Sequence, residues 1–243
     1  MIQKMFCAAL VALLVPLPAA HAQSPKPKTA NQAVIADAFG SMAKRKGTGS
    51  FFPMTLPLRK TTLLFGGEAI HTGADSALLL TFGGDRVLRV GANSTVAIGD
   101  DGVSLHFKVL AGQAWVFSPG GGIQLSTPSA IVTATGNTLL GVGHDPAIDS
   151  TQVSMNAGSA NVSLASGGWK GVANGGQIVR YLRTPRRNIR LRAPQVAPQT
   201  DAHEAMWKRL RAEPWTRGKP GKLARGIEGD LQVLLPPAKG SKP

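Results

Sequence analysis

The feature that most constrains this chain is a long central stretch in which apolar residues recur at every second position. It runs from Thr61 to Leu182 as short apolar runs of four to seven residues. Leu78, Leu80 and Phe82 fall on one face of 76–82, and Val103, Leu105, Phe107 and Val109 alternate in the same way. So do Ala130, Val132 and Ala134, then Val153 and Met155, then Val162 and Leu164. A period of two is the strand signature, because side chains of an extended chain point alternately to opposite faces. Turn residues punctuate the runs: Gly83-Gly84-Asp85, Gly91-Ala92-Asn93, Gly99-Asp100-Asp101-Gly102, Gly120-Gly121-Gly122, Asp145-Pro146, Gly167-Gly168 and Gly175-Gly176. About a dozen short strands at regular spacing predict an all-β core, a β-sandwich or short solenoid-like roll.

The flanks read as helical. Val34, Ile35, Ala38, Phe39 and Met42 fall at spacings of three and four, which predicts an amphipathic helix over 31–46. Asn31 would cap it, Gly47 would stop it, and Lys44, Arg45 and Lys46 would face the negative end of its dipole. A second helix is predicted over 200–213. Asp201 and Glu204 stand at capping-box spacing, Met206 and Leu210 share a face, and Pro214 ends the segment. Trp207 and Trp215 are expected to dock that helix onto the β-domain.

The first 22 residues predict export. Lys4 gives a positive start, Phe6 to Leu17 is an apolar run, and Pro18-Ala19-Ala20-His21-Ala22 puts small residues before a cut after Ala22. The run is shorter than the ~20 residues of a spanning helix. The expectation is a periplasmic or secreted protein with no transmembrane segment after cleavage. Cys7, the one cysteine, lies inside this segment, so residues 23–243 hold no disulfide and no thiolate. The expected organisation is a signal peptide over 1–22, a leader with its helix over 23–60, a β-domain over 61–182, and a basic tail over 183–243 whose end, Pro236 to Pro243, has the composition of disorder.

Charge sits on the flanks. Residues 23–60 carry 7 basic and 1 acidic side chains, residues 61–179 carry 4 and 7, and residues 180–243 carry 15 and 5. Basic arms on an exported, acidic body favour an anionic envelope polymer, a lipid head group or an acidic protein over nucleic acid.

The central stretch resembles the FecR domain. Gly67 to Ala77, with Thr72-Gly73 inside it, is similar to the family's opening segment, and Leu88 to Val96 to its next strand-turn-strand. Val109-Leu110-Ala111-Gly112-Gln113-Ala114-Trp115-Val116 resembles its apolar-Gly-strand unit. Leu125 to Val132, with Thr127-Pro128, followed by Gly136, resembles its Thr-Pro turn before a Gly-Thr strand. Met155 to Val162, with Gly158, and Ala173 to Gln177 resemble its closing repeats. Here Gly136-Asn137-Thr138 stands where the family has Gly-Thr, which predicts a bulge at that point. The resemblance covers about half the chain. It implies a non-catalytic interaction module, of the stand-alone exported type that lacks the cytoplasmic sigma-factor-binding segment and the membrane helix of the family's regulators.

Few residues suggest chemistry. His71 and His106 lie in strand patterns, where a histidine satisfied by its neighbours is the commoner case. His144-Asp145 is a pair without the further spaced partner a metal site requires. Asp100-Asp101 reads as a hairpin turn, and Gly120-Gly121-Gly122 has no Lys-Ser/Thr after it and is not a phosphate loop. No catalytic residue, metal or cofactor is assigned. The segment 180–192 holds six arginines and no acid: Arg180, Arg183, Arg186, Arg187, Arg190 and Arg192. Guanidinium forks suit phosphate and carboxylate groups. That segment is the candidate contact for an anionic glycan, lipid or acidic protein surface, or else pairs with the chain's own acidic body. The leading expectation is a protein-interaction, scaffold or signalling module of the envelope; the alternative is a binder of anionic cell-wall or outer-membrane glycan.

Overall fold

A computed structural model describes residues 32–54, 62–74, 76–83, 86–99, 106–120, 122–134, 136–182 and 194–212. The segment read as a signal peptide, the leader before residue 32, Arg183 to Ala193 and everything after Ala212 lie outside the described residues.

Among the described residues the chain forms β1 (Gln32–Phe39), β2 (Met42–Lys46), β3 (Phe52–Met54), β4 (Leu63–Phe65), β5 (Glu68–Thr72) and β6 (Ala77–Phe82). There follow β7 (Arg86–Val90), β8 (Thr95–Ile98), β9 (His106–Ser118), β10 (Ile123–Ser126), β11 (Ala130–Ala134) and β12 (Thr138–Asp145). The last elements are β13 (Ser150–Ala157), β14 (Ser159–Leu164), β15 (Lys170–Asn174), β16 (Gln177–Leu182), β17 (Gln195–Pro198) and α1 (Asp201–Ala212).

The strands make one continuous, open sheet folded into two layers, with β9 shared between them. Sheet A runs β4-β1-β6-β7-β9-β12-β13-β16-β17 and is antiparallel throughout. Sheet B runs β3-β2-β5-β8-β9-β10-β11-β14-β15, with β9–β10 its one parallel pair among the described residues. The first half of β9 pairs in sheet B and the second half in sheet A. The crossover is at Gly112, whose φ is 74°. A side chain there would place its Cβ 2.6 Å from the Ser94 Cα, so positive φ and lack of space both require glycine.

The layers face each other over the apolar half of each alternating pattern. Leu78, Leu80, Val116, Leu140, Val153 and Val179 come from sheet A; Ile70, Val96, Phe107, Leu125, Val132 and Val162 come from sheet B. Phe82 and Phe107 bridge the layers with ring centroids 4.6 Å apart. This is the all-β sandwich that the alternation predicts.

The N-terminal flank corrects the sequence expectation. The helix predicted over 31–46 is two strands, β1 and β2, joined through Gly40 at φ 80°. The three-residue spacing has another cause. Ile35 lies opposite Leu80 and Ala38 opposite Leu78, and the register slips between Ile35 and Asp37. One extra residue in a strand shifts its phase by one, so a core-facing pair falls three apart and imitates a helical stripe. Lys44 then lies in a strand, not at a helix end, and its Nζ is 3.0 Å from Glu68 Oε1. Arg45 covers the Phe51 ring at 4.6 Å. The sandwich therefore begins well before Thr61, and after Leu182 it still includes β17 and α1.

Two smaller expectations also move. The bulge predicted at 136–138 falls instead on β13: Leu139 pairs with Ala157 and Leu140 with Met155, leaving Asn156 as the extra residue. The capping box at Asp201 and Glu204 is displaced by one residue. Thr200 is the N-cap, its carbonyl accepting the amides of His203 at 2.9 Å and Glu204 at 3.1 Å.

Candidate functional site

The outward face of sheet A carries the most elaborate arrangement. Gln113, Trp115 and Phe117 point outward from β9, Leu139, Gly141 and Gly143 from β12, and Gln152 and Ser154 from β13. Each alternates with a core residue. The helix α1 lies on this face. Its buried stripe is His203, Met206 and Trp207, the i, i+3, i+4 pattern of a docked helix. Met206 and Trp207 join Trp115 and Leu139 in a second apolar cluster, separate from the sandwich core, with Phe117 packed at its edge.

Gly141 makes the seat. A Cβ there would lie 2.8 Å from the Trp115 ring and 3.6 Å from that of Trp207, so the bare backbone is what lets the two indoles approach β12. A small cavity lined by Gln113, Trp115, Gly141, Gly143, Gln152, Ser154 and Met206 remains at this junction.

Polar groups complete the seat. Trp207 Nε1–H donates to Ser154 Oγ at 3.1 Å. Gln199 Nε2 donates to Ser154 Oγ at 2.9 Å and to the Met155 carbonyl at 2.8 Å. Arg180 Nε–H donates to Gln152 Oε1 at 3.0 Å, which turns the Gln152 amide nitrogen toward His203 Nε2, 2.9 Å away. His203 Nδ1 is 2.6 Å from Thr200 Oγ1. The Thr200 backbone N–H is also 3.3 Å from that nitrogen, the longer and weaker of the two contacts. Arg180 fixes the Gln152 amide, which makes Nε2 the acceptor and assigns the ring proton to Nδ1, where it is given to Thr200 Oγ1; in this neutral tautomer the Thr200 backbone amide only abuts Nδ1 and is not a hydrogen bond to it. Burial, then the neighbouring Arg180 charge, holds the His203 pKa below its usual value. Burial also lowers that of Arg180.

A second polar cluster lies where the β10–β11 turn meets the β12–β13 turn. Thr127 Oγ1 accepts the amides of Ser129 at 3.2 Å and Ala130 at 3.0 Å, with Pro128 between them fixing the bend. The same hydroxyl pairs with Thr151 Oγ1 at 2.8 Å, which in turn is 3.1 Å from His144 Nδ1. Ser129 Oγ donates to Asp149, a residue held at φ 46°. Burial pushes the His144 pKa down, against opposing pulls from Asp149, the Ser150 backbone and Asp145. His144 sits at the end of a strand, buried, and serves this turn-to-turn tie; Asp145 accepts the Ala147 amide in a local turn.

The remaining residues singled out by the sequence fall as follows. Thr72 is fully buried, its hydroxyl donating to the Gly91 carbonyl at 2.6 Å and accepting the Ser94 amide at 3.0 Å. Gly73 donates its amide to the Ser41 carbonyl at 2.9 Å. Gly136 has φ 85° and open space around it, whereas Gly158, at φ 79°, sits against Thr138, whose Cγ2 would be 2.9 Å from an added Cβ. His71 is bonded to Thr95 at 2.9 Å and His106 to Ser126 at 2.8 Å. Of the six arginines only Arg180 is described, and it is half-buried under α1. Arg183, Arg186, Arg187, Arg190 and Arg192 lie outside the described residues, as do Asp100, Asp101 and Gly121. Gln152, Ser154, Gln199 and His203 carry no sequence motif. Trp115, a large aromatic on the outward phase of a strand, is the one signal that this face is covered.

No family model matches this chain. No curated protein matches it either. Two solved structures of a "putative anti-sigma factor" from Parabacteroides distasonis ATCC 8503 resemble it in part, at 1.65 Å and 2.50 Å resolution. Each has 12% sequence identity and a TM-score of 0.47 over 58% of this chain. The match spans 64% and 63% of those chains, less than two thirds of their length. Among the described residues, no helix is long and apolar enough to cross a membrane.

Proposed function

We propose that this chain is a FecR-like interaction module of the bacterial cell envelope, exported by its N-terminal segment, that acts by contacting a protein partner and not by catalysis. The observation that carries this reading is how the four histidines after residue 22 are used. His71, His106, His144 and His203 each bond a neighbouring side chain of the fold. The side chains best suited to acid–base work hold strands, turns and α1 together, which supports a rigid binding body.

One geometric fact favours a second contact. β16 and β17 are antiparallel neighbours, with Gln177 opposite Pro198 and Arg180 opposite Gln195. The chain between them carries Arg183, Arg186, Arg187, Arg190 and Arg192, so five arginines are tethered at both ends to one edge of sheet A. Arg180 is already engaged by Gln152 and is not part of that set. This connection would take an anionic glycan, a lipid phosphate or an acidic protein patch.

The test is capture of cross-linked envelope components by residues 23–243, beside a variant with Arg183, Arg186, Arg187 and Arg190 changed to Gln, at low and moderate salt. Truncation after Leu182 is unsuitable, because it strips β17 and α1 from sheet A. A protein retained by both forms at moderate salt, and bound again when purified, is the expected result. Retention only by the unsubstituted form, with glycan or lipid released by salt, would replace the protein partner with the anionic one, since exposed charge contacts weaken once the screening length falls to about 8–10 Å.

A further inference from the structure

The connection of α1 to the sandwich is chemically unlike the rest of the fold. The sandwich is held by an apolar core and strand ladders. The helix is held by one small apolar cluster, the Trp207–Ser154 hydrogen bond and a hydrogen-bond chain that passes through a buried histidine ring. That chain runs from Arg180 on β16, through Gln152 on β13, to His203 on α1, and ends on Thr200 at the helix N-cap. Its direction is fixed from the outside. Arg180 can only donate, so Gln152 must present its oxygen to Arg180 and its NH2 to His203. His203 Nε2 therefore has to accept.

We infer that α1 is an acid-released latch: protonation of His203 reverses the polarity of one link in this chain and lifts the helix from the outer face of sheet A. In an imidazolium both ring nitrogens donate. The Gln152 NH2, 2.9 Å away, then meets a donor with a donor, and it cannot turn its oxygen inward without facing Arg180 with its nitrogen. The new charge also arises in a fully buried position close to the Arg180 guanidinium. Among the described residues no carboxylate is hydrogen-bonded to His203 to compensate it. Facing His203 are Gln152 from β13 and Arg180 from β16; the acids of its own helix, Asp201 and Glu204, are exposed to solvent.

The sign follows from linkage. The docked ring has a pKa below that of a free imidazole, about 6.5, so the undocked helix binds the proton more readily. Docking is at full strength above that pH, weakens as pH falls through it, and stops weakening below the docked value. Release uncovers Trp115 and Leu139 along with Met206 and Trp207, an apolar strip on a face otherwise sealed.

The experiment is amide hydrogen exchange on the full chain, corrected for the intrinsic pH dependence and expressed as protection factors, between pH 7.5 and 5.0. Protection across Asp201 to Ala212 is expected to fall progressively as pH drops below about 6.5, the range in which the undocked ring takes up its proton. Protection in β9 and β12 is expected to hold. His203→Gln should flatten the helix response. Glutamine is an accepted partner at the third helical position of a capping box and keeps a neutral side chain beside Thr200. Unchanged helix protection down to pH 5.0 overturns the inference. So does a parallel loss in β9 and β12, which would mean global unfolding, and so does an undiminished response in the His203→Gln protein, which would place the titration elsewhere, His144 being the other buried ring.

Discussion

Trp207→Ala is the substitution that most sharply tests how α1 is held. The indole is wholly buried between the helix and β12. A tryptophan buries about 150–250 Å², and at ~25 cal/mol per Å² that area is worth about 4–6 kcal/mol. Large-to-small changes at buried aromatics cost about 3–5 kcal/mol once relaxation is allowed for. The hydrogen bond to Ser154 adds a smaller amount, about 1 kcal/mol, because Ser154 Oγ keeps Gln199 as a donor. Each kcal/mol shifts Tm by about 2–4 °C in a domain of this size, so a drop of roughly 6–20 °C is expected in a calorimetric melt. The loss has a ceiling. Once it exceeds the docking free energy of α1, the helix lets go and nothing more can be lost, so helix exchange protection should vanish even if the melt moves by the smaller figure. Trp207→Phe keeps most of the area and should fall well inside that range. A Trp207→Ala protein whose melt moves by less than about 2 °C, with helix protection intact, would refute the packing argument.

Two further outcomes check the sandwich itself. Gly112→Ala and Gly136→Ala share a positive φ, 74° and 85°, but only the first collides with backbone; the second should cost about 1 kcal/mol and the first clearly more, compared by urea denaturation. Thr127→Val keeps the shape but strips the acceptor for two amides and the link to Thr151, so a loss of about 2–4 kcal/mol in the same assay is expected.

The sequence carries the sandwich because alternation and glycine turns state the same thing locally that the core states globally. Leu78-Leu79-Leu80 is a partial exception, and the structure shows why it is harmless: Leu78 and Leu80 enter the core while Leu79 lies opposite Arg89 on the outer face. The N-terminal strands were hidden by the irregularity near Ala36, since a one-residue phase slip is invisible to any fixed period. The site under α1 was hidden for a different reason. Gln152 and Ser154 occupy the outward phase of β13, where polar residues ordinarily mean solvent, and only the distant segment from Gln199 to Trp207 makes them interior. What covers a face is a long-range fact, and no local pattern records it.

The separation of the two apolar clusters has an energetic consequence. Among the described residues the buried cluster that joins α1 to the sheet has four members, Trp115 and Leu139 from the sheet and Met206 and Trp207 from the helix. The core between the layers includes none of these four. Removing the helix therefore exposes the outer face of sheet A without opening the interior, and the ladders β9–β12–β13–β16 remain paired. A unit joined by one small apolar cluster, the His203 chain and the Trp207–Ser154 hydrogen bond opens at lower free energy than the body it rests on. That ordering makes a reversible helix release compatible with a stable sandwich. It also fixes where a binding event could be coupled to it: a partner seated on the Trp115–Leu139 strip must compete with α1, whereas one seated on sheet B need not disturb it.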